Sequence, residues 1–466
     1  MRIKMIKALA FLALALPLAS CNGGTGNNSN SNTGGGNEPT YVMPDKFENI
    51  ELTVWDSISG LDGTAYSAMI DQFNTEYIGQ IYVRRVGNPT DTSYYNNVEM
   101  ALAMGNGPDV VETGNDIMAQ WGYQGNILAN CEPIFEAIGK PIDESDFDAN
   151  ILESATWSDE LISVPMGMHG TVLFINDTLW NQYFPNTTMP TTWTRDLVKQ
   201  YASQIYELSD GKVYGLPMSS QFPGNTYGQF DAFYQNGGHF TTTPDNYDVG
   251  FNSEEGIKGI QAFTDIIFNR NNEWGGASNL LGNDADLNYF NSQQALFCVD
   301  GTWCLPNINT AVETQHFEWH AAPVSGLYAL DADAEYANSM LVQSHNLGIT
   351  QQCAADNDKA CAAAVFIDWM TRNCLDYCEA GHIAARKSVR ESDEYQALPH
   401  HDEFGDSANY VLNESNPAVL FMQGEYSAAM SEVMNAGTND EATIRGTLDA
   451  HEREAEEKIE AWLASY

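Results

Sequence analysis

The chain carries 63 acidic residues and eight cysteines, so carboxylate catalysis, metal ligation and thiol chemistry come first. It contains no Gly-x-Ser-x-Gly elbow, no His-Glu-x-x-His motif and no P-loop. Two carboxylates could flank a glycosidic bond, but nothing singles out a pair, and no enzyme is expected. Asp331-x-Asp333-x-Glu335 and Asp284-x-Asp286 suggest calcium, yet the glycine and the closing glutamate of an EF-hand are missing. Cys374 and Cys378 lie four apart on an expected helix, without the Cys-x-x-Cys spacing of a zinc knuckle. No metal site and no cofactor are therefore expected. Apart from Cys21, the cysteines fall as Cys298/Cys304, Cys353/Cys361, Cys374/Cys378 and a lone Cys131. The odd number leaves at least one thiol unpaired within the chain. Cys353 and Cys361 are expected to form a local disulfide, because the polar stretch 354–360 can bring their Cα atoms within about 4.4–6.8 Å.

These residues must be positioned by an alternation of short elements. Residues 51–55 read as a strand, followed by a Gly/Ser/Asp loop over 56–63 in which Asp62 can cap the next helix. Tyr66, Met69, Ile70, Phe73 and Tyr77 recur at helical spacing. A strand at 81–86, a helix at 94–104 and a strand from Asp109 follow. Strand–helix alternation implies a parallel sheet covered by helices. Ligands of such sheets sit at the loops after the strands' carboxyl ends, here 56–63 and 112–116. After residue 160 the pattern repeats, with strands at 161–165, 172–175, 214–217 and 295–299. Helices are expected at 194–208, 253–270 and 360–373. Thr438-x-x-Glu441 reads as a capping box for a last helix with Ile444, Leu448, Ala455, Ile459 and Trp462 on one stripe.

The formal charge is −43, with only 20 Lys and Arg. Phosphate binding needs basic clusters, so a nucleic-acid partner is excluded, as is flat binding to anionic lipid. Arg2, Lys4 and Lys7 precede an apolar run over 8–18, the pattern of a secretory signal peptide. The run is too short to span a bilayer comfortably. Leu18-Ala19-Ser20-Cys21 resembles the bacterial lipobox, which implies cleavage before Cys21 and its lipidation. Residues 1–20 are thus expected to be a lipoprotein signal. Residues 21–45, rich in Asn, Gly and Ser at first, are expected to form a flexible tether. The body would then be lipid-anchored to the cell membrane on its extracytoplasmic side.

Several segments together resemble the extracellular solute-binding proteins of carbohydrate ABC importers, family 1, the maltose-binding-like type. They are Leu52-Thr53-Val54-Trp55, Met69-Ile70-Asp71-Gln72-Phe73-Asn74 and Gly105-Asn106-Gly107-Pro108-Asp109-Val110-Val111. Pro165-Met166-Gly167-Met168-His169-Gly170 with Asn176, Pro190-Thr191-Thr192-Trp193 and Asn236-Gly237-Gly238 follow in the family's order. Asp300-Gly301-Thr302-Trp303 and Leu347-Gly348-Ile349 complete the series. Late in the chain the family's proline is replaced, and Gly381-His382-Ile383-Ala384-Ala385-Arg386 stands there instead.

The resemblance implies an α/β, periplasmic-binding-protein type fold: two α/β lobes joined by three hinge crossings, with a ligand cleft between them. Lobe one would be 46–167 and 343–388, lobe two 171–338 and 392–466. The implied function is capture of a carbohydrate by a monomer and delivery to ABC permease subunits. A sugar site needs aromatic plates for C–H faces and polar groups for the hydroxyl rim. The family's platform falls on Trp303, with Asp300 as a hydroxyl acceptor, and His169 falls where the first crossing faces the cleft. Trp55, Asp56, Ser57 and Ser59 line the first loop; Asn115 and Asp116 follow the Pro-Asp-Val strand. Gln221, Phe222 and Tyr227 form a polar-aromatic loop of lobe two. Arg386 is expected to pair with an acid, and Trp121, Trp157 and Trp193 to serve the core. A polyamine is the alternative ligand, and a surface glycoside hydrolase the alternative class.

Overall fold

The computed structural model describes residues 40–465, apart from 88–93, 221–223, 244–245, 277–279, 281, 283, 325, 405–409 and 413. Of 224–226 only the backbone is described. Eleven strands occur among the described residues: β1 (Ile50–Asp56), β2 (Ile81–Gly87), β3 (Val110–Gly114), β4 (Thr156–Trp157), β5 (Glu160–Leu161), β6 (Val164–Asn176), β7 (Phe297–Gly301), β8 (Trp319–Pro323), β9 (Met340–Ile349), β10 (Ile383–Ala384) and β11 (Tyr410–Val411). β4 and β5 form a small hairpin. The other nine form one hydrogen-bonded system in the order β2-β1-β3-β9-β6-β10, with β11 on β9 and with β7 and β8 on β6.

β1 pairs in parallel with β2 and β3, as the strand–helix alternation predicts. The helix between β1 and β2, Gly60–Glu76, buries Tyr66, Met69, Ile70 and Phe73 on one face. From β9 onward the order changes. β9 pairs antiparallel with both β3 and β6, and β7, β8 and β10 pair antiparallel with β6, while β11 joins β9 in parallel. The parallel reading therefore stops after the first three strands. The two strands expected at 161–165 and 172–175 are mainly one long strand, β6, every residue of which is buried. The stretch between them stays extended because β9 pairs with it from Val164 to Gly170. Residues 214–217 form no strand; Tyr214 makes a single bridge to Ala295.

Two large cores hold these layers. One contains Leu52, Val54, Phe73, Val164, Met166, Leu347 and Phe366. The other contains Met168, Phe174, Phe263, Phe297, Val342 and Ile383. β6, β9 and β10 each contribute to both. The helix Glu254–Phe268 serves the second core through Ile257, Ile260, Phe263, Ile266 and Ile267, with Ser253 as its N-cap. Helices Gly224–Gln235 and Val419–Ala436 complete this half.

Three local expectations are corrected. The last helix, Glu441–Leu463, is capped by Asp440, whose carboxylate accepts from the Thr443 amide at 3.0 Å, while Thr438 donates to Asp440. Asp440 lies directly before the helix and displaces the capping box. Asp62 lies within the first turn of Gly60–Glu76 instead of preceding it. No Cys353–Cys361 disulfide forms: all seven described cysteines are free and buried. Residues 351–354 and Asn357–Arg372 are helical, so the connecting stretch does not turn back. Cys361 faces the Val42 carbonyl instead. No described helix is long and apolar enough to cross a membrane.

Candidate functional site

The loop after β1 is held from behind. The Arg85 guanidinium forms a bidentate pair with Asp56, at 2.5 and 2.8 Å, and donates to the Ile58 carbonyl at 2.7 Å. Asp56 accepts from the Ile58 amide at 3.1 Å. Buried Glu112 accepts from both the amide and the hydroxyl of Ser57, at 3.0 and 3.2 Å. Burial, with Asp56 nearby, pushes the Glu112 carboxyl up to about 8. The loop thus presents Ser57 to Asp62 as one wall of a cleft of about 400 Å³, within the size range of small-molecule sites.

The facing wall is Trp303, Cys304, Asn307, Asp284 and Tyr227. Trp303 sits in a turn after β7 and is half-buried. Its ring folds back over Gly301, where a Cβ would lie 2.1 Å from the indole; only glycine permits that placement. The Tyr227 ring lies 5.0 Å from Trp303, centroid to centroid.

Between the walls stand three histidines, one on or beside each strand shared by the two cores. His169 is on β6, His345 on β9, and His382 immediately precedes β10. Their ring centroids are 4.5, 5.3 and 5.5 Å apart. Each has one nitrogen engaged. His169 Nε2 meets the Tyr227 hydroxyl at 3.1 Å, and that hydroxyl donates to Gln343 at 2.7 Å. His382 Nε2 meets Asp62 at 3.2 Å, and its ring stacks on Tyr377 at 3.9 Å. His345 Nδ1 bonds the Tyr377 hydroxyl. Burial holds His169 and His382 well below the ordinary histidine value and takes His345 to about 4. Burial raises Asp62 to about 6.

The fold thus brings Ser57, Ser59, His169, Tyr227 and Trp303 to one cleft. Other expected site residues lie elsewhere. Asp300 is buried, accepts from the Gly301 amide at 2.7 Å and does not line the cleft. Asn115 is buried and accepts from the Ser344 amide at 3.1 Å, bracing β9. Asp116 accepts from Tyr95 at 2.9 Å and lines a neighbouring cavity behind Tyr227. Trp55 packs beside the small core of Tyr94, Val111 and Trp121. Trp121 and Trp193 are buried and Trp157 is half-buried. Arg386 is fully buried and pairs with Asp146 at 3.0 Å. Gln221, Phe222 and Cys21 lie outside the described residues.

Asp62, Asp284, Asn307, His345 and His382 were not singled out from the sequence as site residues. His382 was visible only as a departure from the family's third crossing. His345 carries no local signal, because its partners come from distant parts of the chain.

Residues 68–403 match the bacterial extracellular solute-binding protein family. The chain belongs to that family. No curated protein matches this binding protein by sequence. Solved structures share its fold. The GacH receptor of Streptomyces glaucescens, studied unliganded and with acarbose, aligns with a TM-score of 0.71 at 18% identity, covering 87% of this chain and 98% of that one. UgpB from Mycobacterium tuberculosis, in complex with glycerophosphocholine, gives 0.69 at 15% identity over 89% and 99%. The Thermus thermophilus maltotriose-binding protein gives 0.65 at 16% over 88% and 100%. These likenesses establish the periplasmic-binding-protein fold of the binding protein.

Proposed function

We propose that the protein is the substrate-binding component of an ABC importer and that it captures an oligosaccharide in the cleft at Trp303. The supporting observation is the half-buried Trp303 ring, flanked by Tyr227 and facing Ser57, Asp62 and the three histidines. An aromatic plate beside fixed hydroxyl partners is what a pyranose face and rim require. Similar structures were solved with acarbose and maltotriose. In this reading residues 46–167 with 343–388 form one lobe, and 171–338 with 392–466 the other. Ligand favours the closed arrangement of the lobes. A lipid on Cys21 and the tether proposed over 21–45, its end docked where Tyr41 packs on the first core and Val42 bonds Asn357, moor the monomer near the permease, and the protein carries out no catalysis.

A cationic solute is the second reading, favoured by Asp62 and Asp284 on the cleft walls. A thermal-shift screen with mono- and oligosaccharides, polyamines and glycerophosphocholine separates the two, because a ligand that binds only the native state raises the melting temperature. The proposal expects an oligosaccharide to give the shift. A shift with polyamines alone overturns the sugar reading. Cleavage of a sugar during incubation overturns the non-enzymatic one.

A further inference from the structure

The hydrogen bonds around the three histidines engage one nitrogen of each ring. His169 Nδ1 and His382 Nδ1 are buried side-chain atoms with no hydrogen-bond partner, and these residues are only 5% and 1% exposed. A buried polar atom without a partner carries a cost, and it needs an explanation. The partners on the opposite side of each ring supply one. The Tyr227 hydroxyl gives its proton to Gln343, so it accepts from His169 Nε2–H. That leaves the lone pair of His169 on Nδ1. A carboxylate oxygen of Asp62 is the partner of His382 Nε2 and accepts from its N–H, leaving that ring's lone pair on the unpartnered Nδ1 as well. His345 engages Nδ1 with the Tyr377 hydroxyl, and in the tautomer whose Nδ1–H donates there the third lone pair falls on Nε2.

We propose that His169, His345 and His382 together bind a divalent first-row transition-metal ion of the zinc, nickel or copper class. One ligand atom from each lies within 4.8 Å of the other two. An ion at about 2.0–2.1 Å from each nitrogen draws them to about 3.3 Å apart, a side-chain adjustment of about 1 Å. Three imidazoles suit these borderline ions and not calcium or magnesium, which take oxygen. Tyr227, Asp62 and Tyr377 play the part of the outer partners that orient ligating histidines. Three protein ligands leave a coordination position open to the cleft. The site joins one residue from, or next to, each of the strands that feed both cores, and it does not depend on which solute fills the cleft.

The test is titration of chelator-treated full-length protein with ZnCl2 and NiCl2 by calorimetry, and with CuCl2 followed by pulsed EPR. The proposal expects one equivalent bound, and imidazole nitrogen couplings from three rings in the copper form. His345→Ala should abolish stoichiometric binding, and Asp62→Asn should weaken it by about 10–100-fold. Glu425, His451 and Glu454 form the other described cluster that could hold an ion; His451→Ala should leave binding unchanged. The EPR count is made on unaltered protein, so it stands even where a variant fails to fold. No binding by wild type, coupling to fewer than three imidazoles, or loss of the ion in His451→Ala but not in His345→Ala overturns the proposal.

Discussion

Met166 and Met168 stand two residues apart on β6, both fully buried, and they belong to different hydrophobic cores. The same changeover falls between Val342 and Leu347 on β9 and between Ile383 and Ala384 on β10. It occurs at one level, because Met168 pairs with Ile383, and Gly167 pairs with both Ala384 and His345. A backbone bend at this level would move one core against the other while each stays packed, which is what the proposed hinge closure requires.

Gly381, beside the third changeover, has φ +97°, and a Cβ on it would lie 1.9 Å from the Thr302 carbonyl oxygen. Gly381→Ala should therefore destabilise the fold by at least about 1–3 kcal/mol. It should also weaken ligand binding, because Thr302 precedes Trp303. Urea denaturation and a ligand titration check both effects; an unchanged midpoint would show that the turn is not constrained.

Stability should fall as pH rises above about 6.5. Burial raises Glu112 to about 8, Asp231 to about 7, and Asp300 as well, the last with Asp286 contributing. The folded state keeps protons that the unfolded chain releases near about 4. Stability supplied by these groups is thus lost as pH rises through their folded values. Below about 6.5 the buried histidines act in the opposite sense, since only the unfolded chain protonates them. Melting temperatures from pH 6.5 to 8.5 should decline, and Glu112→Gln should flatten the slope. The same slope in the variant would mean that Glu112 is ionised in the folded protein.

The seven described cysteines should all be free thiols that alkylate only after unfolding, since each is buried. Burial also pushes the Cys131 thiol up to about 12, which suppresses the reactive thiolate. Peptide mapping without reductant should find every one alkylated after denaturation; a Cys353–Cys361 cross-linked peptide would contradict this.

Cys21→Ala should release the protein from membranes or leave it with its leader uncleaved, because acyl chains are the grip that the sequence offers. Fractionation at high salt reads the outcome; a membrane fraction equal to wild type would remove the anchor from the account.

The sequence made the first half of the fold legible where periodicity is strong. Leu52 and Val54 alternate with less buried neighbours on β1, and Tyr66, Met69, Ile70 and Phe73 repeat at helical spacing. It misled at β6, whose all-buried run carries no alternation to mark one strand from two. At the site, Trp303 was visible through the family resemblance; Tyr227 was visible as an aromatic residue among polar ones, but it stands on the helix Gly224–Gln235 and not in the expected loop. Asp300 was not readable, because whether a turn carboxylate faces a ligand or its own Gly301 amide depends on the packing around it. The histidine cluster was hidden because its members meet only through the pairing of β6, β9 and β10.

Calorimetric titration of oligosaccharides into wild-type and Trp303→Ala protein tests the central claim most directly. The account predicts that an oligosaccharide binds wild type and that the variant loses about 1–3 kcal/mol of binding, the scale of one large aromatic contact, while its melting temperature changes little. Wild-type affinity in a variant whose melting temperature drops steeply would contradict it and return Trp303 to the core.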